Sequence, residues 1–409
     1  MKSSYNLSDK FDFSVFLPVI FLIIIGLVGI YSATNNNPTA HGAFLKQSVM
    51  AIVAVSVFFI AYFLPVRIIR IMTIYTYIFS LIILVAVLLV GKTVYGAKSW
   101  INIGPIGFQP SEFAKIGFIF IIAYLLTSDK RNPNKVKDFL ILILYSLIPI
   151  LLILFEPDMG TVLIYVSILM ALLFWSGIDL FYVFVTLSPG FVLFSSFFGK
   201  AAFILAMIVV FVLLLYFKKN IFINISILII NMSAAYLFDF AYRFLKPHQQ
   251  KRIQTFINPT SDPLGAGYNI LQAQLAIGSG GFWGKGFLKG NQTQLSFIPK
   301  QWTDFIFSVI GEEFGFIGSV LIVILFVIVF VRLLNIAGHT SNKFESLVII
   351  GVLTLLITHF TINIGMNLGV APVVGIPLPF LSYGGSSLIV NMFLLGIVMN
   401  FYKHRKEHI

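Results

Sequence analysis

The sequence contains no cysteine and very few charged residues. Of its 409 residues, 10% are charged, whereas 59% are hydrophobic. The absence of cysteine excludes disulfides, thiolate nucleophiles and cysteine-ligated zinc. An ordinary soluble chain is about one quarter charged, so this chain has too few polar residues to cover the outside of a soluble fold. The composition therefore predicts an integral membrane protein, and the mean hydropathy of +0.99 agrees.

Acidic residues are scarcer than basic ones. The chain has 15 Asp and Glu against 27 Lys and Arg, which gives a net charge of +12. In a membrane protein this excess is typical of loops that rest on anionic lipid. We therefore expect membrane lipids, and no nucleic acid, among its partners.

Twelve apolar stretches are long enough to cross a membrane as helices, since a span needs about 20 mostly apolar residues. They lie near residues 13–32, 44–64, 70–90, 110–127, 138–155, 159–176, 180–198, 201–217, 221–241, 304–331, 344–368 and 384–402. The sequence thus predicts an all-α polytopic membrane protein with about twelve transmembrane helices in one domain, residues 1–409.

The orientation follows from Lys and Arg in short loops, which favour the cytoplasmic side. With the N-terminus inside, fifteen such residues lie at the inner side and five at the outer side. The other seven lie in residues 243–303, hereafter the long segment, which is too long to be counted. We predict that both termini are cytoplasmic and that the long segment is a large extracellular loop. Seven acidic residues then lie at or near the inner side, and eight lie at the outer ends of helices or in the outer loop. Charges at the membrane edge are costly without a function, so we expect any chemistry to face outward.

The first candidate cluster comprises Gln109, Pro110, Ser111, Glu112 and Lys115. Pro and Ser are typical of a helix start, and Glu112 and Lys115 then lie on one helix face. A lysine inside a span is costly, so one interpretation is an inward-facing cation for a phosphate or pyrophosphate. The alternative is a structural ion pair whose lysine extends to the water.

The second cluster, Glu156-Pro157-Asp158, is a turn between two spans. Its two carboxylates could bind a divalent cation or position a sugar. Alternatively, Asp158 caps the next helix, whose first turn favours an anion.

The third cluster lies in the long segment. A basic run ends at Arg252, Asp262 follows between two prolines, and Lys285 lies in the glycine-rich stretch 278–286. The basic groups could hold a lipid-linked phosphate with Asp262 as a base, or form a solvated face in which Asp262 makes an Asx turn. The glycines do not match a phosphate-binding loop or a dinucleotide fingerprint, so we expect no nucleotide.

Two further features lie near the C-terminus. Glu312 and Glu313 fall inside a predicted span, where a carboxylate pair must find partners. Residues 369–387, hereafter the Gly/Pro segment, contain three prolines and four glycines and no charge. Irregular backbone at membrane depth is tolerated only where protein or a water-filled cavity covers it. We predict a re-entrant loop that lines a cavity.

Several of these motifs together resemble the signatures of the SEDS family (shape, elongation, division and sporulation). They are Gln109–Glu112 with Lys115, Asp262–Tyr268, Ala276–Gly281 and Gly375–Ser387. The resemblance runs from the first span to the C-terminus, and residues 284–295 resemble the rod-shape branch of the family more than the division branch.

The resemblance implies a peptidoglycan glycosyltransferase that polymerises lipid II at the outer face of the bacterial cytoplasmic membrane during elongation and shape maintenance. Its implied partner is a class B penicillin-binding protein, which crosslinks the strands. The family's essential acid falls on Asp262, which would act as general base. The family's cavity acid and lysine fall on Glu112 and Lys115. We add Gln109, Asp158, Arg252 and Lys285 as candidate substrate-binding residues, and Mg²⁺ or Mn²⁺ as a candidate cofactor.

The sequence departs from the family pattern in three places. The family commonly has ten spans, so we predict that residues 177–241 hold two additional helices. Lys98-Ser99 stands where an arginine often precedes Trp100, and Lys300 stands where an acid often follows Pro299. Two other functions remain open from the sequence: a flippase or transporter of lipid-linked precursors, and a non-catalytic scaffold for a penicillin-binding protein.

Overall fold

The fold is a bundle of long helices. The computed structural model describes residues 10–37, 40, 42–94, 97–103, 106–129, 131–196, 199–218, 220–244 and 266–405. The helices within these residues are α1 Phe13–Asn35, α2 Ala43–Phe63, α3 Val66–Val90, α4 Pro110–Thr127, α5 Val136–Phe155, α6 Met159–Trp175, α7 Leu180–Ser196, α8 Lys200–Phe217, α9 Ile221–Phe244, α10 Ala266–Gly280, α11 Asn291–Gln294, α12 Ile306–His339, α13 Lys343–Asn367 and α14 Gly385–His404.

Twelve of these helices coincide with the twelve predicted spans. Over the part of the chain that the structure describes, nine helices are long and apolar enough to cross a membrane. Three further apolar stretches are shorter: Met159–Trp175, Leu180–Ser196 and Ile221–Ser233. The protein is therefore a multi-pass α-helical membrane protein, and the predicted fold class is confirmed. The assignment of 177–241 as additional helices remains a prediction.

Helices α4 and α14 form the centre of the bundle, and α14 packs along α2. The approach is close because Gly396 faces α2, where a Cβ would lie 2.4 Å from the Phe58 carbonyl oxygen. Helices α7, α8 and α9 pack mainly on one another at the periphery. Among the nine long apolar helices, α14 is the most buried: 83% of its 18-residue apolar stretch lies inside the protein, compared with 17% for α8.

A small antiparallel sheet precedes α4. Its strands are β1 Lys92–Val94, β2 Ala97–Ile103 and β3 Ile106–Phe108, in the order β1-β2-β3. The Lys98 ammonium donates to the carbonyls of Leu88 and Leu89, at 2.7 and 3.0 Å. A cation is favourable at this C-terminal end of α3. Lys98, which lies where the sequence departs from the family pattern before Trp100, thus has a structural role.

Helix α12 is broken at Gly315, where φ is +65° and ψ is −156°. The carbonyls of Glu312 and Glu313 accept hydrogen bonds from the backbone N–H groups of Lys285 and Gly286. In return, Phe316 and Ile317 donate to the carbonyls of Gly281 and Phe282. A Cβ at position 315 would lie 2.3 Å from the backbone nitrogen of Gly284. Residues 281–286 therefore replace the hydrogen bonds that the break removes from the helix.

The Gly/Pro segment connects α13 to α14 without forming a regular helix before Gly385. Its side chains Ile376, Leu378 and Leu381 are buried. It packs against glycine on α1, where a Cβ at Gly26 would lie 2.6 Å from the Leu381 Cα atom. Protein thus covers residues 378–382 of the segment, whereas Val370 is 75% exposed. That the segment lines a cavity as a re-entrant loop remains a prediction.

Charged residues of distant sequence meet at one end of the bundle. The Arg332 guanidinium pairs with the carboxylate of Asp12, which also caps α1 through the N–H of Ser14. The Lys403 ammonium lies 5.1 Å from the centre of the Tyr62 ring, whose hydroxyl donates to the Lys10 carbonyl. Lys10, Arg332 and Lys403 are three of the fifteen Lys and Arg residues that the sequence predicts at the cytoplasmic side.

Candidate functional site

The first site feature is a buried ion pair on α4. The helix begins at Pro110, a residue suited to the first helical position because that N–H has no partner within the helix. Glu112 and Lys115 then lie one turn apart, and the Lys115 Nζ is 2.5 Å from Oε1 of Glu112. Their residues are 3% and 0% exposed. The predicted pair exists, and Lys115 does not extend to the water.

A third side chain, which sequence analysis did not identify, completes this pair. His359 on α13 is buried, and its Nε2 lies 3.1 Å from the Lys115 Nζ. Its Nδ1 lies 3.0 Å from the Pro377 carbonyl oxygen. The sequence does not predict these contacts, because His359 is a single histidine in an apolar span and its partners lie on α4 and in the Gly/Pro segment.

Gln109 and Asp158 meet where α4 and α6 begin. The Asp158 carboxylate accepts from the Thr161 N–H at 3.0 Å and from its hydroxyl at 2.8 Å. It also accepts from the Gln109 side-chain amide at 3.2 Å. Asp158 therefore caps α6, one of its two predicted roles, and ties that cap to the start of α4.

Glu156 lies in the turn between α5 and α6 and is fully buried. Within the part of the chain that the structure describes, neither of its carboxylate oxygens accepts a hydrogen bond. Burial away from water raises the pKa of Glu156 to about 8, and the nearby Asp158 carboxylate adds to this effect. An acid with this pKa is mostly protonated at pH 7. At pH 7 the turn therefore does not present a pair of carboxylates, because Glu156 is mostly neutral.

The tyrosine hydroxyl of α6 joins these groups. The Tyr165 hydroxyl donates to the Ser111 carbonyl at 3.0 Å. It also lies within electrostatic range of Glu112, Glu156 and Asp158. The first two sequence clusters are therefore one polar region in the structure, which we call the α4–α6 cluster: Gln109, Glu112, Lys115, Glu156, Asp158 and Tyr165.

The Glu312–Glu313 pair holds the C-terminal part of the long segment. The Glu312 carboxylate accepts from the Lys285 ammonium at 2.8 Å, from the N–H groups of Gln292 and Thr293 at 3.0 and 2.9 Å, and from the Thr293 hydroxyl at 2.8 Å. Glu313 accepts from Ser32 on α1. The prediction that this pair needs partners is confirmed, and Lys285 is engaged with Glu312.

Two predicted site residues, Asp262 and Arg252, lie outside the described residues. Among the residues that are described, no three His, Asp or Glu side chains lie close enough to hold a metal ion. The roles predicted for Gln109, Glu112, Lys115, Asp158 and Lys285 toward a substrate remain predictions. The structure brings the first four into one cluster.

Comparisons with known proteins agree with the fold and the motifs. The profile of the FtsW/RodA/SpoVE family, described as cell cycle proteins, matches residues 13–198 and 180–407. The chain belongs to this family. The membership confirms the resemblance that the motifs carry.

Curated relatives of this family match over almost their whole length. The chain is 34% identical to a protein of Treponema pallidum named peptidoglycan glycosyltransferase RodA, over 96% of this chain and 97% of the relative. It is 35% identical to peptidoglycan glycosyltransferase MrdB of Escherichia coli, over 97% of this chain and 94% of the relative.

Solved structures of the family share the fold. One belongs to a study titled "Structural coordination of polymerization and crosslinking by a peptidoglycan synthase complex". It is 28% identical, has a TM-score of 0.71, and the match covers 97% of this chain and 98% of that chain. The rod shape determining protein RodA of Thermus thermophilus matches with a TM-score of 0.65 at 24% identity, over 97% of both chains.

Proposed function

We propose that the protein is a peptidoglycan glycosyltransferase that polymerises lipid II into glycan strands during cell elongation. The observation that carries this proposal is the full-length similarity to relatives named peptidoglycan glycosyltransferase, at 34 and 35% identity. Those names favour a polymerase over a transporter or a scaffold. The buried side chains of the α4–α6 cluster, Glu112, Lys115 and Glu156, support the same choice because such groups are costly at membrane depth without a function.

The reaction joins two sugars. The 4-hydroxyl oxygen of an acceptor GlcNAc forms a bond to the anomeric carbon of the donor chain, with inversion. The bond from that carbon to undecaprenyl pyrophosphate breaks. Asp262 takes the hydroxyl proton as general base, and the pyrophosphate leaves with the bonding electron pair. Because pyrophosphate is already a good leaving group, the protein mainly supplies deprotonation and neutralisation of charge.

The positive groups divide between two parts of the chain. Lys115 supplies a buried charge beside Glu112, while Arg252 and Lys285 belong to the long segment. Since Lys115 is fully buried, it acts on a pyrophosphate through its electric field or after its neighbours move. Gln109 and Asp158 position the start of α4 and thereby this pair.

A divalent cation, Mg²⁺ or Mn²⁺, is a further part of the proposal, and it would neutralise the pyrophosphate. In the turn at Glu156, the neighbouring Asp158 carboxylate is already engaged by Thr161 and Gln109. These residues fit a cation poorly. The dependence of the rate on added Mg²⁺ or Mn²⁺ after chelation tests this part separately.

The proposed setting is the outer face of the bacterial cytoplasmic membrane, with both termini in the cytoplasm and a class B penicillin-binding protein as partner. The related complex whose study title names polymerization and crosslinking supports a crosslinking partner. The charged end of the bundle with Lys10, Arg332 and Lys403 supports the orientation.

The test is a polymerisation assay with the purified protein, its partner and lipid II, read as glycan strands on a gel. The expected result is strands longer than the lipid II monomer, lost in the Asp262→Asn variant. A partner variant that cannot crosslink serves as control, because the strands should form without crosslinking. The absence of strands from folded wild-type complex would contradict the proposal.

A further inference from the structure

His359 connects two parts of the fold that are distant in sequence. It projects from α13, with one ring nitrogen 3.1 Å from the Lys115 ammonium and the other 3.0 Å from the Pro377 carbonyl oxygen. The residue is 1% exposed, so both ring nitrogens are shielded from bulk solvent. Its ring therefore bridges α4 and the Gly/Pro segment.

The two partners determine the state of the ring. The Lys115 ammonium has only donors, so Nε2 must accept with its lone pair. The Pro377 carbonyl has only an acceptor, so Nδ1 must carry the hydrogen. Only the neutral Nδ1–H tautomer satisfies both contacts. A protonated ring would direct an N–H from Nε2 at the ammonium.

The bridge also affects the ion pair. An ammonium buried away from bulk solvent needs acceptors for its three N–H groups. Glu112 supplies one acceptor and His359 a second, in a different direction. The direction in which Lys115 points is thus set by two helices and, through Pro377, by the Gly/Pro segment.

We infer that His359 is a positioning residue for the polymerase, which orients the Lys115 ammonium and couples it to the Gly/Pro segment. This inference rests on the proposed function. It adds a residue that contacts no substrate and acts through Lys115. Movement of the Gly/Pro segment at Pro377 would shift the ring and therefore the buried charge.

Glutamine and phenylalanine distinguish this role from simple packing. The glutamine side chain ends in an amide, whose oxygen can accept from the Lys115 ammonium and whose nitrogen can donate to the Pro377 carbonyl. It can therefore make both contacts of the histidine ring. Phenylalanine fills the space and makes neither. We expect His359→Phe to lower the polymerisation rate about 10–100-fold, the usual size for loss of a supporting contact, and His359→Gln to keep most of it.

The pH profile is the second readout. Among the described residues, the charged groups that face His359 are Lys115 and Glu112, both on α4, and the Gly/Pro segment contains no charged residue. Acid that protonates His359 should break the bridge, so the wild type should lose activity on the acid side earlier than His359→Gln. His339→Gln, at the exposed end of α12, is the matched control and should behave as wild type.

The inference is overturned if folded His359→Phe polymerises at the wild-type rate, or if His359→Gln loses as much activity as His359→Phe. A readout independent of activity is the thermal unfolding of Lys115→Met, His359→Phe and the double variant in detergent. Non-additive shifts in Tm support the contact, and additive shifts contradict it. If neither the wild type nor His339→Gln polymerises lipid II, the proposed function is contradicted instead.

Discussion

The Lys285 Nζ lies 2.8 Å from Oε1 of Glu312. The same carboxylate accepts hydrogen bonds from the backbone N–H groups of Gln292 and Thr293 in α11. This contact fastens the long segment to α12 just before the break at Gly315. The carboxylate is fully buried, whereas the Lys285 side chain is 27% exposed. One ion pair thus joins a candidate substrate-binding lysine to a structural anchor.

The first prediction separates these two roles of Lys285. Glu312→Ala leaves Lys285 and two backbone donors without their acceptor, so we expect it to destabilise the protein by about 3–5 kcal/mol. Lys285→Ala should destabilise less because its side chain is partly exposed. Thermal unfolding in detergent measures both, with the exposed Lys289→Ala as control. If Lys285 binds substrate, Lys285→Ala should also raise the KM for lipid II, and an unchanged KM would contradict that role.

The second prediction concerns Asp262. Asparagine keeps the shape and turn-forming ability of the side chain but cannot accept a proton at neutral pH. We expect Asp262→Asn to lower the polymerisation rate by about 10²–10⁴-fold, the usual contribution of a general base. The measurement compares matched amounts of folded complex. Activity within a few-fold of wild type would leave Asp262 as an Asx-turn residue.

The third prediction concerns Lys115. Removing only the lysine leaves a buried carboxylate uncompensated, so Lys115→Ala should weaken both lipid II turnover and stability. The double variant Glu112→Gln with Lys115→Met replaces the pair by neutral groups of similar size, and should recover stability without recovering activity. Normal polymerisation by a well-folded Lys115→Ala protein would exclude a role in the reaction.

The fourth prediction follows from Glu156. Its pKa is about 8 in the folded protein against an ordinary 4.5, so folding retains a proton that the unfolded chain releases. The stabilisation is complete below about pH 4.5 and is lost as the pH rises through about 8. We expect the stability to fall by up to about 1.4 kcal/mol per pH unit in that window.

The control for this effect is Glu156→Gln, which imitates the protonated acid at every pH. Thermal unfolding from pH 5 to 9 should show a smaller decline for this variant than for wild type. Parallel curves for the two proteins would mean that Glu156 is already ionised in the folded state.

The fifth prediction concerns orientation. Because the native chain lacks cysteine, single cysteines at Asn258 and Lys137 can be labelled without interference. An impermeant thiol reagent should label Asn258→Cys in intact cells and Lys137→Cys only after permeabilisation. The reverse pattern would place the long segment in the cytoplasm.

Hydropathy predicted the spans well because each one is a local property of the sequence. The predicted stretch 110–127 coincides with α4, and 13–32 falls short of α1 by three residues. The i,i+3 spacing of Glu112 and Lys115 likewise predicted a contact within one helix. Asp158 directly precedes α6, so its capping role is also a local property, and the sequence offered it as one of two alternatives.

Other features depend on residues far apart in the chain, and the sequence alone did not reveal them. His359 has partners 244 and 18 residues away, so its spacing carried no pattern. The break at Gly315 was not predicted, because a glycine in an apolar stretch is also compatible with a continuous helix. Its hydrogen-bond partners lie about thirty residues earlier, in a loop.

The break at Gly315 also resolves a problem of length. An unbroken α12 of 34 residues would extend about 51 Å at 1.5 Å per residue, far more than the roughly 30 Å of hydrocarbon in a bilayer. Residues 316–339 alone extend about 36 Å, which suits one tilted crossing. Residues 306–313 are buried in protein, whereas Phe316 and Ile317 are exposed. Glu312 and Glu313 therefore avoid contact with lipid tails, although hydropathy places them inside a single long span.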